Sequence, residues 1–433
     1  MIDDAITTPL RGKPAHLIGS SNDYSIADIE WIASQFRITG PISVASFPGK
    51  GNINLHTYEV NADGNEYLLQ KVNSDVFTMP HRVMKSMVAS ISAQQDSLNV
   101  GKGDPLWNPI ELVPTERGGN YLDLTDEHGW SVWRMMVRIP ESISYKSLGE
   151  VAGRGAQLKL AEEVGRGLAI YSDLTSSIAP DSVEGSLPGY RDTPNYYAQF
   201  HSVMECKRTL AEASEFLPED PILRESTQQH FLVALDSAEY MARKSDPELV
   251  PYIELVEDRE PFALGLWAAI ADGRIRNTLI HGDTKIENFL FCPNTGKVKA
   301  LVDLDTIMPF TWLADYGDLQ RSMVNVSGEK ERDLSKVLVD RDVYEAVAKG
   351  FLSTAEEVTD AEVSMMVSAV QAITLELGLR FLTDYLRGDT YFRLGPEDPA
   401  DLNRVRAMVQ LTLYRRLVEF GPEAEARLKT FRR

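Results

Sequence analysis

The segment His281-Gly282-Asp283-Thr284-Lys285-Ile286-Glu287-Asn288, followed by Val302-Asp303-Leu304-Asp305, constrains the fold of this chain more than any other feature. Phe289-Leu290-Phe291, the turn Asn294-Thr295-Gly296 and the apolar run 298–302 read as a hairpin. That hairpin would bring Asn288 and Asp303 close together. Such a set suits phosphoryl transfer, which needs a carboxylate beside the acceptor hydroxyl, oxygen ligands for magnesium and positive charge on the phosphates. In this spacing Asp283 faces the acceptor hydroxyl and orients it as general base. Lys285 reaches the γ-phosphate, and Asn288 and Asp303 hold Mg²⁺. ATP and Mg²⁺ are therefore the expected cofactors.

The rest of the chain predicts an α+β fold with two lobes. Its 433 residues exceed one simple core. Residues 25–38 have helical spacing, with Ser25 and Asp28 as a capping pattern. Strands are predicted at 42–47, 56–60 and 66–72, the last two joined by the hairpin signal Asp63-Gly64. A helix starts at Pro80. Further strands fit 110–114, 121–124 and 130–137, and 98–120 and 325–333 read as exposed loops. Helices are expected at 155–174, 196–214, 222–244 and 260–272, and through most of the chain beyond 334. The expected division is a helical segment (1–39), a small antiparallel-sheet N-lobe that binds nucleotide (40–139), and a large, mainly helical C-lobe with the catalytic loop and acceptor pocket (140–433). The hinge is expected at 138–142.

A net charge of −20 argues against nucleic acid and anionic lipid as partners. No run approaches the length of a membrane span. The acidic start Met1-Ile2-Asp3-Asp4 lacks the basic residues of a signal peptide. Cys206 and Cys292 are the only cysteines and suit free thiols in a reducing compartment. A cytoplasmic protein with small-molecule partners and no obligate protein partner is the expectation.

The HGDxxxxN segment resembles the catalytic loop of the aminoglycoside phosphotransferase superfamily. More narrowly, the chain resembles its N-acetylhexosamine 1-kinase branch. That likeness rests on Leu69-Gln70-Lys71-Val72-Asn73-Ser74-Asp75-Val76-Phe77, Arg191-Asp192-Thr193-Pro194, Val302-Asp303-Leu304-Asp305-Thr306-Ile307-Met308-Pro309 and Asp315-Tyr316-Gly317-Asp318. It rests also on Leu377-Gly378-Leu379-Arg380-Phe381-Leu382-Thr383-Asp384-Tyr385-Leu386 and Gly388-Asp389-Thr390-Tyr391-Phe392. The resemblance implies a protein-kinase-like fold and transfer of phosphate to the anomeric C1 hydroxyl of GlcNAc or GalNAc. It matches Asp283, Asn288 and Asp303 to the family's base and metal ligands, and Asp315 to the acid that braces the catalytic loop.

Other positions leave alternatives open. Gly49 and Gly51 allow close backbone approach to a nucleotide, but a third glycine is missing; the Gly-Asn loop ending at Asn52 is also a candidate for the sugar. Side chains alternate across a strand, so either Gln70 or Lys71 faces the phosphates. The helix 80–95 offers no acid to pair with that lysine. Asp305 is either a second metal contact or a loop-stabilising acceptor. Arg380 either pairs with Asp384, four residues on, or contacts sugar or phosphate; Tyr391 is a weaker substrate candidate. The same chemistry on an amino sugar, another sugar, an aminoglycoside or homoserine is the first rival. A nucleotide-binding pseudokinase sensor is the second.

Overall fold

The computed structural model describes residues 10–11, 24–48, 53–126, 129–392, 394–395 and 397–431. The loop with Gly49, Gly51 and Asn52 lies outside the described residues.

Five antiparallel strands form the N-terminal sheet: β1 (Ile42–Ser46), β2 (Thr57–Ala62), β3 (Asn65–Lys71), β4 (Leu122–Asp126) and β5 (Gly129–Val137), in the order β4-β5-β3-β2-β1. A two-residue strand, Leu10–Arg11, runs parallel to β4 at the edge. At the β2–β3 turn Asp63 (φ 51°) and Gly64 (φ 79°) both adopt positive φ, as a type I′ hairpin demands. Helix α1 (Ile26–Ala33) starts on a complete capping box between Ser25 and Asp28. It covers one face of the sheet, where Ile29, Ile32, Leu69, Trp133 and Met135 are buried together. Helix α2 (Pro80–Asn99) covers the other face, where Val83, Met84 and Met87 join Val72, Val132 and Met136 in the main core. Register pairs Gln70 with Arg134 and Lys71 with Trp133, so Gln70 and Arg134 share the α2 face and Lys71 shares the α1 face.

The segment after β5 leads into the helical part. Ile143 exchanges backbone hydrogen bonds with Phe291, and Lys299 Nζ donates to the Pro140 carbonyl at 2.8 Å. Two small ribbons carry the central loops: β6 (Thr278–Ile280) pairs with β9 (Met308–Phe310), and β7 (Phe289–Phe291) with β8 (Val298–Leu301). Around them pack the long helices α3 (Arg154–Thr175), α4 (Thr193–Met204), α5 (Trp312–Val324), α6 (Arg341–Leu352), α7 (Met366–Arg387) and α8 (Leu402–Phe431). By length and composition α7 could cross a membrane, but 78% of its apolar window is buried, with α5 and α8 against it.

Several expected elements differ. Residues 110–114 make one bridge, Leu112 with Met136, and no strand; Pro109 and Pro114 frame the stretch and donate no N–H. The expected loop 98–120 buries Trp107, Ile110 and Val113, and Trp107 Nε1 donates to Gln94 at 2.9 Å. The helix expected over 196–214 stops at Met204, because Cys206 turns left-handed at φ 58°. The helix expected over 222–244 is broken and restarts at Ser237, where Asp236 caps a fresh N-terminus.

Helices α3 and α6 cross at two glycines. A Cβ on Gly350 would land on the Glu162 carbonyl, and one on Gly165 on the Val347 carbonyl. Gly155, near the start of α3, has open space around it. Gly350→Ala should therefore destabilise the protein by about 1–3 kcal/mol in chemical denaturation, as overpacking does. Gly155→Ala should be neutral or stabilising by up to roughly 1 kcal/mol, since Ala outranks Gly in a helix.

Candidate active site

Strand β6 delivers the chain into the catalytic loop, and one buried acid fixes that loop's shape. Asp315, in the first turn of α5, accepts the backbone N–H of His281 at 2.7 Å and of Gly282 at 2.8 Å. Thr284 Oγ1 donates to the Asp315 carbonyl at 2.6 Å. Gly282 sits at φ 88°, and a Cβ there would strike the Thr306 carbonyl, so no other residue fits. His281 is fully buried; its Nε2 donates to the Val302 carbonyl at 2.8 Å and its Nδ1 accepts the Asp283 N–H at 3.3 Å. That pairing selects the Nε2–H tautomer.

Beyond this anchor the predicted residues converge. Lys285 Nζ lies 3.0 Å from Asp283 Oδ2. Asn288 Nδ2 donates to the Asp283 carbonyl at 2.8 Å. Burial opposes charge on Lys285, but Asp283 beside it holds the ammonium above its ordinary value. The β7–β8 ribbon brings Asp303 round to the same cleft, with Val302 N–H bonded to the Asn288 carbonyl at 2.8 Å. Asp303 stands in a left-handed conformation (φ 65°). Desolvation by the cleft walls, then the like charges of Asp305 and Asp283, push its carboxyl up to about 7, although the side chain still meets solvent. Asp303 thus feels the charge of both Asp283 and Asp305. An amide oxygen and a carboxylate are hard donors of the kind a divalent cation takes, so Asn288 and Asp303 are the residues here that could hold one.

Asp305 is engaged on both oxygens. Oδ1 forms a buried ion pair with Arg134 at 2.5 Å, and Oδ2 accepts Asn54 Nδ2 at 2.6 Å. Oδ2 is a hydrogen-bond acceptor and Oδ1 an ion-pair partner without a hydrogen bond, and together they brace the loop. Lys71 is turned away from the cleft. Its Nζ sits 5.2 Å over the Tyr24 ring on the α1 face, so of the two alternatives strand alternation puts Gln70, and not Lys71, on the cleft side. On the cleft face Gln70 accepts from Arg134 Nε at 3.1 Å and donates to Thr57 Oγ1 at 3.0 Å.

On the acceptor side Arg380 does not pair with Asp384. That acid binds Arg387 instead and accepts the N–H groups of Thr390, Tyr391 and Phe392, which shapes the 388–392 turn. The Arg380 guanidinium lies 4.8–5.5 Å from the ring centroids of Tyr196, Tyr190, Phe392 and Tyr391, and donates to Tyr391 Oη at 3.2 Å. Tyr190 links this cage to the catalytic loop: its hydroxyl donates to the Gly282 carbonyl at 2.8 Å. Burial pushes the Tyr190 hydroxyl up to about 12, which keeps it a donor. His230 packs edge-on against Tyr391; burial and then Arg387 lower its ring to about 4, so it is neutral.

Two residues were not anticipated, Arg134 and Arg191. Arg191, held at φ 53°, is buried behind the loop and donates to the Gly282 carbonyl at 3.1 Å. It also meets Asp318 at 3.0 Å and Glu376 at 3.3 Å. Burial would raise the Asp318 carboxyl, but Arg191 and Arg321 hold it well below the carboxylate range. The Arg191-Asp192-Thr193-Pro194 string is thereby explained: Asp192 caps α4 and Thr193 Oγ1 donates to Glu376 at 2.6 Å.

A five-stranded sheet, a cleft and this loop define a protein-kinase-like phosphotransferase. A model described as the phosphotransferase enzyme family (APH) matches residues 45–334. The chain belongs to that family: it is an ATP-dependent phosphotransferase acting on the hydroxyl of a small molecule. Two solved structures share the fold. A microcompartment-associated aminopropanol kinase is 14% identical with a TM-score of 0.51, over 93% of this chain and 100% of that one. An amicoumacin kinase in complex with AMP-PNP and Ca²⁺ is 12% identical with a TM-score of 0.50, over 89% and 93%.

Asp315→Asn leaves one oxygen to accept and turns an NH₂ towards a backbone donor. Stability should fall by about 1.5–3 kcal/mol, the worth of hydrogen bonds to a charged group, measured by chemical denaturation.

Proposed function

We propose that this phosphotransferase moves the γ-phosphoryl group of ATP to the anomeric C1 hydroxyl of an N-acetylhexosamine, GlcNAc or GalNAc, giving ADP and a sugar 1-phosphate. Asp283 orients the hydroxyl and takes its proton as the oxygen–phosphorus bond forms and the bond to the β-phosphate oxygen breaks. Lys285, kept protonated by Asp283, steadies the transferred group. Magnesium held by Asn288 and Asp303 would neutralise the phosphate oxygens. Asp315 and Asp305 hold the loops that present these groups. The glycine loop with Gly49 and Gly51 would cover the nucleotide, and Asn52 would reach the sugar. Two free thiols suit work in the cytoplasm.

The observation that carries the acceptor class is Arg380. Its guanidinium meets four aromatic rings, and among the described residues it makes no ion pair with a carboxylate. A cationic amine beside it would be repelled. A neutral sugar gains instead: rings offer stacking area, and Arg380 and Tyr391 offer donors to its oxygens.

The test is ADP release with Mg·ATP against neutral hexosamines, other sugars, amino alcohols and aminoglycosides, with phosphorus NMR of any product. Turnover on GlcNAc or GalNAc with an anomeric phosphate is expected. Turnover confined to cationic acceptors would overturn the reading.

A further inference from the structure

In protein-kinase-like sites a lysine of the third strand meets the phosphates and pairs with an acid of the following helix. Here neither half is in place. Lys71 lies on the α1 face over Tyr24, and the sole acid of α2 is Asp96, in its last turn. A guanidinium from the neighbouring strand occupies the cleft face instead. Arg134, 2% exposed, stands opposite Gln70 and bonds its carboxamide oxygen through Nε at 3.1 Å and Nη2 at 2.5 Å. Its carboxylate partner is Asp305, which lies in the C-terminal part, two residues after Asp303. The other Asp305 oxygen holds Asn54, and Asn54 Oδ1 accepts the Asn73 N–H at 3.0 Å.

A buried guanidinium keeps its charge, and its desolvation is offset only by well-placed partners. In the Gln70–Arg134–Asp305–Asn54 set the outer links are hydrogen bonds and the central one is a buried ion pair, so removing either charge leaves the other buried and unpaired. The set ties two sheet strands, the chain leaving the glycine loop and the turn bearing Asp303 into one unit across the cleft. We propose that Arg134 is the positioning residue of the nucleotide site: it replaces the strand lysine and its helix acid, and acts through Asp305 to fix where Asp303 meets the nucleotide. Lys71 has no part in this.

This inference rests on the phosphotransfer reading, and calorimetric binding of Mg·AMP-PNP separates the two. Arg134→Met and Asp305→Asn are each expected to weaken binding at least tenfold, with the double variant no weaker than the worse single, as for two members of one unit. Arg134→Lys, which keeps the charge but loses the fork, should fall between; it decides the matter if Arg134→Met does not fold. Lys71→Met should bind as the unaltered protein does. Unchanged affinity in folded Arg134→Met, or in Arg134→Lys when Arg134→Met does not fold, would overturn the proposal while leaving the kinase reading intact. No binding by the unaltered protein would overturn both.

Discussion

The Asp315 carboxylate takes the N–H groups of His281 and Gly282 from inside the protein, and the shape of the loop that carries Asp283 and Lys285 depends on those two bonds. They hold the loop in a conformation that only glycine tolerates at 282, and they point Asp283 outward. Arg191 and Tyr190 then grip the Gly282 carbonyl from the other side. The loop is thus clamped at both its donors and its acceptor before any substrate arrives. Preorganisation of this kind matters most where catalysis is mainly positioning and electrostatics.

Charge is the second constraint. Asp283, Asp303 and Asp305 share one cleft, which is costly unless cations face them. The protein supplies Lys285 to the first and Arg134 to the last. Asp303 has neither as a direct partner; desolvation first, then the charges of Asp305 and Asp283, raise its carboxyl, and Lys285 and Arg134 offset only part of that. A divalent cation held beside Asp303 would offset that charge. Behind the loop the same logic recurs: Asp318 and Glu376 are buried only because Arg191 and Arg321 are buried with them.

The chemistry-bearing loop was legible because its residues are close in sequence and its spacing is rigid. Asp283, Lys285, Asn288 and Asp303 belong to one loop–hairpin–turn unit, so local geometry brings them together. Local signals also placed α1, α2, α3 and the β2–β3 hairpin. What the sequence hid depends on distant packing. Arg134 pairs with a residue far along the chain, and only strand register tells that it, rather than Lys71, faces the cleft. Arg191 stood in the sequence only as part of a family-like string, because its partners, Gly282, Asp318 and Glu376, come from three other segments. Asp384 offered Arg380 an obvious i+4 partner, yet the 388–392 turn and Arg387 claimed it.

The central claim is that Asp283 orients and deprotonates the acceptor. Its most direct test is single-turnover phosphoryl transfer by Asp283→Asn beside the unaltered protein, with Mg·ATP binding measured in parallel. General-base loss predicts a rate lower by roughly 10²–10⁴-fold, with nucleotide affinity little changed. Near-normal transfer by Asp283→Asn would contradict the account.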